Sequence, residues 1–103
     1  MKLIQKLSDM IEEEIGDAGK YARCALENKE TNTQLAELFY KLANEELGHM
    51  SQLHSQVVSI IEDYRKKHGD PPEAMQMLYD ILHQKHIANA ASVKGMLSLY
   101  KGG

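Results

Sequence analysis

Residues 2–28 read KLIQKLSDMIEEEIGDAGKYARCALEN. Apolar side chains return at helical spacing through Ile4, Leu7, Ile11, Ile15, Ala18, Ala22 and Ala25, with no proline among them, so the pattern predicts one long helix over about 2–28. Asn28 through Asn32 reads as a tight turn, with Thr31 or Asn32 placed to cap a second helix. That helix is expected over about 32–67, carrying Leu35, Leu38, Phe39, Leu42, Leu53, Val57, Ile60, Ile61 and Tyr64. The segment His68-Gly69-Asp70-Pro71-Pro72 ends it. A third helix is expected over about 72–101, begun near Pro72 because proline suits a first helical turn, and burying Met75, Leu78, Leu82, Val93, Met96 or Leu97, and Tyr100. The closing Lys101-Gly102-Gly103 is expected to fray. Short connections make consecutive helices antiparallel neighbours, so the expectation is all-α: an up-down-up bundle of three long helices in a single domain, 1–103.

Composition narrows the function classes. A chain of 103 residues, 43% hydrophobic and 26% charged, suits one packed domain and argues against disorder. The formal net charge of -3 leaves no basic excess for nucleic-acid phosphates or anionic membrane surfaces. No apolar run is long enough to span a bilayer or to serve as a signal peptide. Cys24 is the single cysteine, so neither an internal disulfide nor a cysteine metal site is available, and a small packing role beside the helix seam and a cytoplasmic location are expected.

The informative positions are those where the apolar seams fail. Stepping by three and four along the first helix gives Ile4, Leu7, Ile11, Glu14, Ala18, Tyr21 and Ala25; along the second it gives Leu35, Phe39, Leu42, Glu46, His49 and Leu53. An ionised carboxylate in an apolar seam is costly unless paired or bound to a cation. With the turn near residue 30, Glu14 and Glu46 each lie about sixteen residues from it, roughly 24 Å along their helices, and should face each other. His49 stands one turn from Glu46 on the same face. Two carboxylates and an imidazole suit iron, manganese or zinc better than calcium or magnesium. Gly16 and Gly48, each two residues past a seam glutamate, suggest ordinary tight packing first, or else a close approach or a local bulge.

These residues resemble the ferritin-like di-iron carboxylate proteins, the group of ferritins, bacterioferritins and rubrerythrins. The match runs through Glu14, Tyr21 two turns later, and Glu46-Leu47-Gly48-His49 as a Glu-x-x-His; the surrounding LANEELGHMSQLH is similar to the second helix of rubrerythrin-like proteins, and the likeness covers roughly residues 3–64. It implies that Glu14 is a metal ligand, that Glu46 tends to bridge two irons, that His49 is a terminal ligand and that Tyr21 supports the site by a hydrogen bond. A complete site of this kind needs a second glutamate and a second Glu-x-x-His, which this chain lacks. Two copies meeting across a twofold axis would supply both halves, so the resemblance implies a homodimer or higher homo-oligomer holding two iron ions, with manganese or zinc as alternatives. The chemistry implied is oxidation of Fe(II) by oxygen or peroxide.

Two other readings stand beside it. One is a non-catalytic helical interaction or assembly protein that keeps the scaffold; the other is a hairpin holding one metal ion through Glu14, Glu46 and His49 of a single chain. On the third helix the stretch from about Ala91 to Lys94, preceded by Asn89 and Ala90 and extended by Gly95, should lie level with the site, and its small side chains could admit another subunit. Glu12, Glu13 and Glu45 are expected on solvated flanks, where they could line a path for incoming iron. His83 and His86 on the third helix, with His54 on the second, form a separate candidate metal cluster, His86 level with His54 and His83 with Val57. His68 reads as a charge at a helix C-terminus.

Overall fold

The computed structural model describes residues 2–102, apart from the side chains of Ala74, Met75 and Leu78. It contains α1 (Lys2–Asn28), α2 (Thr33–His68) and α3 (Glu73–Gly102), packed as an up-down-up bundle. Asn32 caps α2, its side-chain oxygen accepting from the Leu35 N–H at 3.2 Å and satisfying one of the orphan donors of the first turn. At the far end the Gly69 N–H donates to the Arg65 carbonyl, and the positive φ of 79° at this glycine turns the chain out of the helix. Pro72 sits just before α3, and its carbonyl accepts from Gln76 N–H, so this proline holds the cap position and not the first turn. Lys101 and Gly102 do not fray: both remain helical, and the Lys101 ammonium lies 4.8 Å from the centre of the Tyr40 ring.

α1 is the centre of the molecule. It packs closely along α2 and takes α3 on a neighbouring face, while the α2 and α3 backbones stand apart and meet through side chains. The core joins Ile4, Ile11, Ile15, Ala18 and Ala22 of α1 to Ala43, Leu47, Val57 and Ile61 of α2 and to Ala90, Val93 and Leu97 of α3. Ile11 and Val57 are the largest fully enclosed side chains, each worth about 1.5–3 kcal/mol of apolar burial. Toward the α1–α2 turn, Ala25, Ala36 and Tyr100 form a second cluster, and the Tyr100 hydroxyl donates to Glu37 Oε1 at 2.7 Å, tying the end of α3 to α2.

The innermost seam of α2 differs from the one expected. Ala36, Ala43, Leu47, Val57 and Ile61 are buried, whereas Leu35, Phe39, Leu42, Glu46 and Leu53 are half-buried and Leu38 is exposed. The stripe of Leu35, Phe39, Leu42, Glu46, His49 and Leu53 is thus one residue off the packing axis, on the flank away from α3. On α3, Val93, Leu97 and Tyr100 are buried and Leu82 and Met96 half-buried, as the spacing predicts; Met75 and Leu78 fall outside the described side chains. Gly16, Gly48 and Gly95 are exposed and a Cβ at any of them would meet nothing within 4 Å, so the close approach expected at the first two is not made within this chain, and the helices pass through both positions without a bulge.

Candidate metal centre

Glu14 projects from α1 and Glu46 and His49 from α2 onto the open flank of the hairpin. One donor atom from each lies within 4.8 Å of the others, the one such group of metal-binding side chains among the described residues. His49 Nδ1 stands 3.4 Å from Glu14 Oε2 and 3.8 Å from Glu46 Oε2. The equal count of residues from Asn28–Asn32 to Glu14 and to Glu46 is what brings two helices' carboxylates to one height.

The site is not inside the bundle, as the seam arithmetic suggested, but at its surface: the side chains of Glu14 and Glu46 are 27% and 20% exposed and that of His49 is 54% exposed. The charges therefore do not carry the full cost of an apolar interior, because the axis of packing runs through the alanines beside them. One atom is nevertheless cut off from water. Glu14 Oε2 is shielded from solvent and no donor engages it in hydrogen-bonding geometry, the His49 nitrogen standing near but out of alignment. The closeness of Glu14, to which a protonated Glu46 could donate a hydrogen bond, raises the Glu46 carboxyl above the ordinary carboxylate value; partial desolvation and the Glu14 charge act the same way, and His49 opposes them. A cation would relieve the same crowding. Two carboxylates, an imidazole and a shielded oxygen without a partner fit iron, manganese or zinc.

Beside the three residues Met10 and Leu53 border a shallow depression with the polar side chains of Glu14, His49, Gln52, Ser55 and Gln56, and Met10 is exposed. Tyr21, two turns beyond Glu14, is half-buried and stacks on Phe39 with ring centres 6.1 Å apart; among the described residues no hydrogen bond joins its hydroxyl to the cluster. The small residues of α3 lie elsewhere: Ala90 packs into the core, while Ala91 borders the groove between α2 and α3.

Other polar residues also fall differently from expectation. Glu12 is not simply solvated; its Oε1 takes the Lys85 ammonium at 3.0 Å and faces His86 Nε2 at 3.9 Å, while Glu13 and Glu45 are exposed. His83, not His86, meets His54, their rings stacked 4.7 Å apart, one turn from the register expected. Cys24 is free and half-buried, and His68, in the last turn of α2, lies against Tyr64. No described helix is long and apolar enough to cross a membrane. Compared with known proteins, the chain matches no family model, no curated protein and no solved structure.

Proposed function

We propose that Glu14, Glu46 and His49 are half of a ferritin-like di-iron or di-manganese centre, completed by the same residues of a second copy of the chain, with oxidation of Fe(II) by oxygen or peroxide as its chemistry. The observation that carries this reading is the convergence of three donors from two helices within 4.8 Å around a solvent-shielded carboxylate oxygen that lacks a partner. Three side chains are too few to enclose a pair of ions, and a twofold axis on this flank would double them. The exposed Met10 and half-buried Leu53 beside the cluster give such a pairing apolar surface to bury.

Bound iron would supply the electrons that reduce oxygen or peroxide. The chain's own part is electrostatic. Glu14 and Glu46 offset positive charge as Fe(II) becomes Fe(III), His49 binds as the neutral imidazole, and Glu46 must give up its proton before a cation can be held. Cation uptake should therefore strengthen as pH rises through the elevated Glu46 value.

Native mass spectra of anaerobically Fe(II)-loaded protein, taken beside the Glu46→Ala variant, test this directly. Two irons per dimer, lost in the variant, are expected. One ion per monomer would favour a mononuclear hairpin, a reading supported by all three donors belonging to one chain. A metal-free assembly indifferent to Glu46→Ala would leave a scaffold whose function lies on its surface.

A further inference from the structure

We propose that the junction of α2 with α3 is a proton-operated latch: protonation of His54, stacked on His83, and of His86 beneath it releases α3 from the α1–α2 hairpin while the hairpin stays folded. The α3 backbone lies against α1 and stands off from α2; side chains bridge the gap, Tyr100 to Glu37 and Tyr40 at one end, Arg65 to Gln76 at 3.1 Å at the other, and between them the His54–His83 stack, extended by Tyr79 with its ring centre 5.5 Å beyond His83. Beneath it, His86 is only 6% exposed, and its Nε2 is buried without a hydrogen-bond partner, as is Nδ1 of His83. Two parallel imidazoles 4.7 Å apart stack well when neutral and repel when both are charged.

The surroundings offer these charges little compensation. α1 contributes Glu12, already held by Lys85 at 3.0 Å and so able to balance at most one new positive charge near His86. α3 adds Lys85, which opposes protonation of His86, Lys94 at the edge of the groove, and Asp80 beside Tyr79; α2 contributes His54 itself and, toward the connection, Arg65. The three imidazoles are not a chelate, because the one group of metal-binding donors converging within 4.8 Å among the described residues is Glu14, Glu46 and His49.

Burial sets the direction of the pH effect. Desolvation lowers both His54 and His86 below the ordinary imidazole value, with the nearby His83 charge adding to both and Glu12 opposing at His86. Once α3 is released, His54 and His86 lose that burial and titrate near the ordinary value of about 6.5, so the released form takes up protons first as pH falls. Docking is at full strength above about pH 6.5 and declines below it, by roughly tenfold for each pKa unit that burial removes. The Gly69–Pro72 connection, outside any helix, gives α3 a place to swing from.

Hydrogen exchange read by mass spectrometry between pH 7.5 and 5, corrected for intrinsic rates, tests the latch on the intact chain. Protection of α3 peptides should fall at least tenfold relative to α1 and α2 peptides, and the fall should flatten in a His54→Gln, His83→Gln, His86→Met variant. If that variant does not fold, imidazole titration by NMR in the unaltered protein decides: His54 and His86 should titrate below 6.5 while α3 opens. Protection of α3 that is flat with pH, loss of all three helices together, or buried histidines titrating at or above 6.5 would overturn the proposal.

Discussion

Replacing Glu46 with glutamine should stabilise the metal-free protein at neutral pH. The substitution removes one of two carboxylates whose oxygens lie within 4.8 Å, and a glutamine amide can donate to the orphaned Glu14 Oε2. Two unit charges at that separation repel by about 1 kcal/mol at the dielectric of water and by about 3.5 kcal/mol at an effective dielectric of 20. With Glu14 and Glu46 27% and 20% exposed, and His49 offsetting part of the repulsion, a gain near the lower figure is expected, about 1 kcal/mol. In a domain of this size that raises Tm by roughly 4–8 °C. The sign with pH is fixed: a carboxyl raised in the folded state costs stability once pH climbs through its folded value, so the advantage of Glu46→Gln should shrink as pH falls and Glu46 regains its proton. Differential scanning calorimetry in chelator, at fixed protein concentration, measures both effects. Adding Mn(II) or Zn(II) should reverse the order, since a ligand at about a hundred times its Kd stabilises its binder by about 2.7 kcal/mol and the variant has lost a donor. A variant no more stable than the parent without metal at pH 7 would refute the electrostatic account.

Ile11→Ala, which empties the most enclosed large position of the core, should cost about 2–5 kcal/mol in urea unfolding at unchanged m-value. Gly16→Ala and Gly48→Ala, both at exposed helical positions with open space around them, should each add about 1 kcal/mol by the same assay. Ultraviolet titration of the tyrosines should show Tyr100 ionising above its ordinary value, because its hydroxyl donates to Glu37 and is partly desolvated, and Glu37→Gln should bring that transition down.

The helices and their connections were legible because the signals were local: apolar recurrence, an asparagine at the cap, a glycine and two prolines between the second and third helices. The height match of Glu14 with Glu46 was legible too, being simple counting from a turn. The side of the helix that faces inward was not. α2 carries large apolar groups on two adjoining stripes, and stepping along the leucines selects Leu35, Leu42 and Leu53 on the flank. The helices instead meet along Ala36 and Ala43, which contribute little to an apolar pattern yet permit the nearest approach of backbones. The register of α3 slipped by a turn for a related reason: the four residues of Gly69–Pro72 lie outside any helix, and counting at helical rise cannot say how far they carry the chain. Hence the pairing of His54 with His83, and the capture of Glu12 by Lys85, emerge only in three dimensions.

The molecule measures 56 × 20 × 17 Å, with a radius of gyration of 16.5 Å where a compact globule of its length would have about 13 Å. A rod drags more solvent than a sphere of equal mass. In gel filtration a lone chain should elute early, in the range of a globular protein considerably heavier than 11.6 kDa, and so imitate a dimer. Subunit number must consequently be weighed, by sedimentation equilibrium or native mass spectrometry, before any metal stoichiometry is divided by it.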